Sequence, residues 1–243
     1  ARENLVDLGI DVRRLRTVRG HTGIALIVVD DRGRNQITVA PGANAQTRTR
    51  VSCDIALLQL ETPFVRPRAN LVILNPAPAR PISLQGVDVV IPNEVEAEQL
   101  TGERDPARAA RALLRMGARR AIVTLGEKGV FDGRLRRAFR VRAIDTVGAG
   151  DTFVGAFAAG LALSVSDPVE FAQAAAALKV TRHGAQNVPS LKEVERFLEA
   201  HGGRGRSGGI VAQKVRETRR KTGARVGPGS SVGSNARRRP TAR

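Results

Sequence analysis

Three short stretches of the 243-residue chain carry residues that could do chemistry together. The first is Asp145-Thr146-Val147-Gly148-Ala149-Gly150-Asp151-Thr152-Phe153, followed by an apolar run over 154–163. Gly148, Ala149 and Gly150 read as a turn that opens a helix. Without a Cβ, such a turn lets backbone N–H groups approach an anion closely, and the helix N-terminus adds its positive dipole end. Asp151 then falls in the first turn, beside that anion site. A carboxylate there can take a proton from a hydroxyl while the N–H groups stabilise charge on a transferring phosphoryl group. Asp145, earlier in the same turn, is a candidate to hold the acceptor. The bland reading is a tight turn followed by an acid where first helical turns commonly carry one.

The second stretch is Pro92-Asn93-Glu94-Val95-Glu96-Ala97-Glu98. Asn93 and Glu96 have the spacing of a capping box. They also offer oxygen to Mg²⁺ and its waters, which hard cations prefer. The third is Thr124-Leu125-Gly126-Glu127-Lys128-Gly129, directly after an apolar strand. Its Thr124, Gly126 and Gly129 could wrap nucleotide phosphates with backbone donors. It is not a Walker sequence, which needs more glycines ahead of a Lys-Ser or Lys-Thr pair.

Alternating strands and helices must position these stretches. Apolar strands are expected at 23–29, 36–39, 55–60, 71–74, 87–91 and 121–125, with a turn at 31–34 joining the first two as a hairpin. A strand end is expected at 139–141. The near-continuous apolar strands suit a parallel sheet covered on both faces. Asp105-Pro106 and Asp167-Pro168 are helix starts, and Ser190 with Glu193 forms a capping box for the last helix. The class is α/β with a small antiparallel element at its start.

Composition narrows the field. There are 40 Lys and Arg against 23 Asp and Glu, giving a net charge of +17. Residues 201–243 hold twelve of the basic residues and one acid, Glu217, and are rich in Gly, Ser and Arg. So few large apolar side chains cannot offset the entropy of ordering, which predicts disorder there. A basic tail can contact nucleic acid through phosphates, although this one has no aromatic residue for base stacking. One Cys excludes an internal disulfide, and His21, Cys53, His183 and His201 are too far apart in sequence to suggest a structural zinc site. No run approaches the apolar length of a membrane helix, and no signal peptide is present. The expectation is a soluble, cytoplasmic protein.

Taken in order, PNEVEAEQLTG at 92–102, VTLGEKG at 123–129 and DTVGAGDTFVGAF at 145–157 resemble the ribokinase family of carbohydrate kinases. TGIALIVVD at 22–30, PGANA at 41–45, LLQLETP at 57–63, LNPAPARP at 74–81 and KVTRHGAQNVPS at 179–190 extend the resemblance over about residues 1–199. The resemblance implies transfer of the γ-phosphoryl group of ATP to the 5-hydroxyl of D-ribose. Fructose-, deoxyribose- and nucleoside-type kinases are the alternatives. It implies that Asp151 is the catalytic base and that Gly148, Ala149 and Gly150 form the anion hole. Asp145 and Glu61 would bind the sugar, and Asn93 and Glu96 would belong to the Mg²⁺–phosphate network. Thr124, Gly126 and Gly129 would contact the nucleotide. Asp145 and Val147, with the 180–190 region including Val180 and Gly184, would hold an activating K⁺. The family is often homodimeric through a β lid.

Departures from the family pattern set further expectations. Ala1 aligns inside it, so the early sheet and the Gly-Gly-Lys-Gly-Ala-Asn sugar-binding segment are expected to be lacking. That leaves a partial lid and first core segment over 1–45, the α/β core over 46–200 and an unrelated basic tail over 201–243. The links at 41–54, 61–70 and 76–86 are too short for the family's helices, and 61–70 contains Pro63 and Pro67. A parallel crossover usually needs about a dozen residues or more. The expected result is an incomplete three-layer fold with impaired activity. A non-catalytic relic with a nucleic-acid-binding tail is the reading from a different class, and a sugar sensor or scaffold a third.

Overall fold

β3 (Ser52–Gln59), β4 (Arg68–Asn75), β5 (Val89–Val90) and β6 (Arg120–Ala121) pair in parallel, in that order. The computed structural model describes residues 2–29, 35–47 and 51–202. Successive strand residues point to opposite faces, and here both faces are apolar. Leu74, Val90 and Ala121 lie on one; Ile73, Val89 and Ile122 lie on the other. Helices α2 (Glu94–Thr101) and α3 (Pro106–Arg115) cover the first face through Ala97, Ala109 and Leu113. Helices α4 (Ala149–Ala162) and α5 (Pro168–Val180) cover the second through Phe153, Phe157, Val169 and Ala172. The last helix, α6 (Leu191–Ala200), packs Val194 and Leu198 against Phe171 and Ala175 of α5. This is the expected mostly parallel sheet between two helical layers.

The caps read from the sequence start these helices. Asp105 accepts from the Arg108 N–H, and Asp167 from those of Val169 and Glu170. Asn93 and Glu96 exchange bonds of 2.8 Å, and Glu193 accepts from both the N–H and the hydroxyl of Ser190.

Between β3 and β4 the chain returns over residues 60–67 with no helix. Strands of this length run about 23 Å and nine Cα steps reach about 30 Å when extended, so the return must stay extended. Pro63 and Pro67 favour that conformation. Leu60 and Phe64 turn inward onto the α2/α3 face. The opposite face has no such cover at the edge strand. Leu57 is 40% exposed beside its fully buried register partner Ile73.

Two expectations change. The strand at 121–125 divides: Arg120 and Ala121 stay in the parallel sheet, while β7 (Val123–Thr124) joins an antiparallel sheet with β8 (Val130–Phe131) and β9 (Leu135–Arg136). The β8–β9 turn rests on Asp132-Gly133, an Asp-Gly hairpin signal. No strand forms at 139–141. Phe139 instead meets the Phe197 and His201 rings, at centroid distances of 5.2 and 5.7 Å.

Near the start of the chain, β1 (Ile24–Val29) and β2 (Asn35–Ala40) form the expected antiparallel pair, with Ile24, Leu26 and Val28 exposed. Their turn at 31–34 and the tail beyond Gly202 lie outside the described residues. Residues 2–17 belong to a separate compact unit from residues 18–202. That unit contains α1 (Arg2–Asp7), which buries no side chain, and an exposed Asp11–Arg13 ion pair. Among the described residues no helix is long and apolar enough to cross a membrane.

Candidate active site

In an open parallel sheet, ligands bind beyond the carboxyl ends of the strands. At that end, β3 finishes in Gln59 and β4 in Asn75, which are register partners. Gln59 Nε2 donates to Asn75 Oδ1 and to Asp151 Oδ1, each at 2.8 Å. Asn75 Nδ2 donates to the Ile91 carbonyl at 2.8 Å. A polar relay therefore runs from the sheet to the first turn of α4 and holds the Asp151 carboxylate. Sequence reasoning did not single out Gln59 or Asn75. The available signal was an amide directly after the apolar run of each strand, at 55–58 and 71–74, because buried polar groups need partners.

Gly148 caps α4 in the left-handed region at φ 76°, and a Cβ there would come within 3.0 Å of the Ala185 carbonyl. A Cβ at Gly150 would meet nothing within 4 Å, so the helix mouth is open. The Ala149 N–H is engaged by Thr146 O at 3.1 Å. Those of Gly150 and Asp151 have no protein acceptor among the described residues. Of the expected trio only the Ala149 N–H is engaged; the Gly148 N–H likewise has no protein acceptor among the described residues.

Asn93 caps α2 and Glu96 completes its box. Burial pushes the Glu96 carboxyl above its usual range. The Asn93 N–H opposes this, and the Asp151 charge adds to it. Two carboxylates that repel in this way create a preference for a cation between them. Their oxygens suit Mg²⁺, which usually takes one or two carboxylates and fills its shell with phosphate and water.

Thr124 bridges to Asn93, and its N–H donates to Pro92 O at 2.9 Å. Gly126 is left-handed and open. A Cβ at Gly129 would fall 2.0 Å from Arg136 O, so this glycine serves a close backbone crossing. Thr124, Gly126, Gly129, Ala149 and Gly150 line one cleft of about 440 Å³. The third sequence stretch therefore meets the first at this cleft, and the second adjoins the third through the Asn93–Thr124 bridge. Another cleft, of about 420 Å³, lies past Gly148 and Asp151, but Ala156, Ala159, Val188 and Leu191 make it apolar and unsuited to a sugar.

Asp145 Oδ1 accepts from the Val147 N–H at 2.9 Å and Oδ2 from that of Gly184 at 2.8 Å. The Val180 carbonyl accepts from Ile144 and Asp145 at 2.7 and 3.1 Å. Asp145 thus ties the loop before α4 to the loop after α5. Glu61 is exposed in the turn beyond β3 and makes no hydrogen bond or ion pair among the described residues.

Residues 65–192 match the model of the pfkB family of carbohydrate kinases. The chain is 38% identical to the ribokinase of Haemophilus influenzae in an alignment of 226 positions that covers 79% of this chain and 74% of that one. Among solved structures, ribokinase of Thermotoga maritima superposes with a TM-score of 0.68 at 36% identity, covering 81% of this chain and 75% of that one. Ribokinase of Arabidopsis thaliana, complexed with ribose and ATP, gives 0.63 at 28%, covering 74% and 70%.

Proposed function

The chain belongs to the pfkB family of carbohydrate kinases, which transfer a phosphoryl group from ATP to a sugar, and from that premise we propose that its acceptor is D-ribose, phosphorylated at the 5-hydroxyl. The observation that carries this reading is the Asp151 carboxylate, held by Gln59 at 2.8 Å beside the open N–H groups of Gly150 and Asp151. Ribokinases recur among the similar chains, including one complexed with ribose and ATP.

ATP lies with its phosphates along Thr124, Gly126 and Gly129 and its γ-phosphoryl group at the mouth of α4. The ribose hydroxyl approaches in line and gives its proton to Asp151 as the new P–O bond forms and the bond from the γ-phosphorus to its bridging oxygen breaks, that oxygen leaving with ADP. The N–H groups of Gly150 and Asp151 meet the charge that develops on the equatorial oxygens. Glu96, with Asn93 through water, would hold Mg²⁺, which when bound offsets charge on the phosphate oxygens. At the loop pair where K⁺ is expected, Asp145, Val180 and Gly184 already use oxygen atoms in internal hydrogen bonds.

In this reading Glu61 and Asp145 hold the sugar, and Asp145 already has both oxygens engaged. Accurate placement of the acceptor is worth about 7–11 kcal/mol of barrier. Turnover is therefore expected below the usual kinase range of roughly 1–100 s⁻¹. The test is sugar-dependent ADP release by the full chain with Mg²⁺, comparing ribose, deoxyribose, fructose and nucleosides, with Asp151→Asn alongside. Ribose-dependent release lost in Asp151→Asn is expected. Preference for another sugar, or an Asp151→Asn variant as active as the parent, would refute the reading.

A further inference from the structure

Lys179 is the one charged side chain that is fully buried among the described residues, and its Nζ has no hydrogen-bond partner. A buried ammonium is strongly unfavourable unless negative charge lies close by. The position in the fold supplies that charge. Helices α4 and α5 pack as a hairpin joined by residues 163–167, so the last turn of α5 lies near the first turn of α4. Between those turns lies the knot of Asp145, Val147, Val180 and Gly184. Its carboxylate is Asp145, kept below its usual range by the N–H groups of Val147 and Gly184, with further help from the charges of Lys179 and His183.

We propose that the Lys179 ammonium is the resident cation of this loop pair and takes the place of a monovalent metal ion there. Through Asp145 it positions the loop that leads into α4 and its open N–H groups. Most of the oxygens that would suit K⁺ are engaged, Val147 O alone of the four residues accepting no hydrogen bond among the described residues. Each Asp145 oxygen accepts one N–H, Val180 O accepts two, and Gly184 O accepts from Asn187. A metal ion beside the ammonium would also face a like charge with little screening. Unlike K⁺, a covalently attached ammonium cannot dissociate, so the charge is present in any salt.

The kinetic part rests on the phosphoryl-transfer reading; the binding part does not. The full chain and Lys179→Met are melted in the chlorides of K⁺, Na⁺ and tetramethylammonium at equal ionic strength, and each is titrated with Tl⁺ followed by thallium NMR. The parent should melt alike in all three salts and bind no Tl⁺ specifically. Lys179→Met should melt lower and be rescued selectively by K⁺, with Tl⁺ binding gained. Ribose-dependent turnover should vary by less than about twofold among salts in the parent and rise about tenfold or more with K⁺ in the variant. K⁺-selective stabilisation or Tl⁺ binding by the parent overturns the proposal, as does a folded Lys179→Met that ignores K⁺ and Tl⁺. If Lys179→Met does not fold, the parent's Tl⁺ titration decides. Absence of turnover with every sugar refutes the kinase reading while leaving the melting and thallium results to judge Lys179.

Discussion

Replacing Gln59 tests whether the relay from the sheet sets the catalytic carboxylate. In Gln59→Leu, Asp151 loses the amide donor at 2.8 Å and Asn75 Oδ1 loses its partner. A hydrogen bond to a charged group contributes about 1.5–3 kcal/mol. Asp151 is exposed, so water replaces part of this, and about 1–2 kcal/mol remains, or about 5–30-fold in kcat. The KM for ATP should stay near the parent value, because Gln59 does not line the cleft of Thr124 and Gly150. Asn75 is only 8% exposed, and its unmatched acceptor should cost about 1 kcal/mol, or about 2–4 °C of melting temperature. The assay is steady-state ADP release against pH, with a thermal melt, for the parent, Gln59→Leu, Asp151→Asn and the double variant. If Gln59 acts through Asp151, its replacement should change kcat by less than about twofold in the Asp151→Asn background. A full effect in that background, or an unchanged kcat in Gln59→Leu alone, would refute the relay.

Glu96→Gln should weaken Mg²⁺ by about 10–100-fold in the concentration needed for half-maximal activity, while its amide oxygen keeps the α2 cap and the melting temperature. Because the Glu96 carboxyl is raised and binds Mg²⁺ when ionised, the Mg²⁺ requirement of the parent should rise as pH falls through that raised value; Mg²⁺ titrations at several pH values should find Glu96→Gln flatter. Glu193 is lowered to about 2 by the Ser190 N–H and hydroxyl, then by Arg182. Its contribution to stability is complete above its ordinary value near 4.5 and is lost as pH falls through about 2. Thermal melts across that window should decline less for Glu193→Gln than for the parent.

The layers of this fold are legible because their signals are local. Adjacent apolar residues such as Ile73 and Leu74 serve opposite faces, and both are fully buried. Asn93, Asp105 and Asp167 announce their helices because a side-chain oxygen satisfies N–H groups that a helix start leaves open. The misreadings arise where tertiary pairing decides. The run at 121–125 is continuous in sequence but divided by its neighbours, with β5 on one side of the break and β8 on the other. Phe139 has the apolar spacing of a strand, yet its ring finds Phe197 and His201 instead.

The chemistry shows the same division. Asp151, Gly150, Thr124 and Gly126 lie in stretches whose spacing already points to phosphate and a proton acceptor, and the structure gathers the last three around one cleft. What orients the acceptor is carried by single residues far apart in sequence. Gln59 and Asp151 meet only because β3 ends where α4 begins, and their bond joins positions 92 residues apart. The edge position of β3 has a direct consequence here. Although α4 reaches this strand, Leu57 remains exposed two residues before Gln59. Within the parallel sheet, the strand that holds the relay is thus the one with least apolar cover, and local opening costs least where buried apolar contacts are few. Amide hydrogen exchange should therefore be faster along β3 than along β4, whose Val72, Ile73 and Leu74 are buried. Equal protection of the two strands would show that the bare face does not loosen the relay, and slow turnover would then have to come from the sugar-holding side alone.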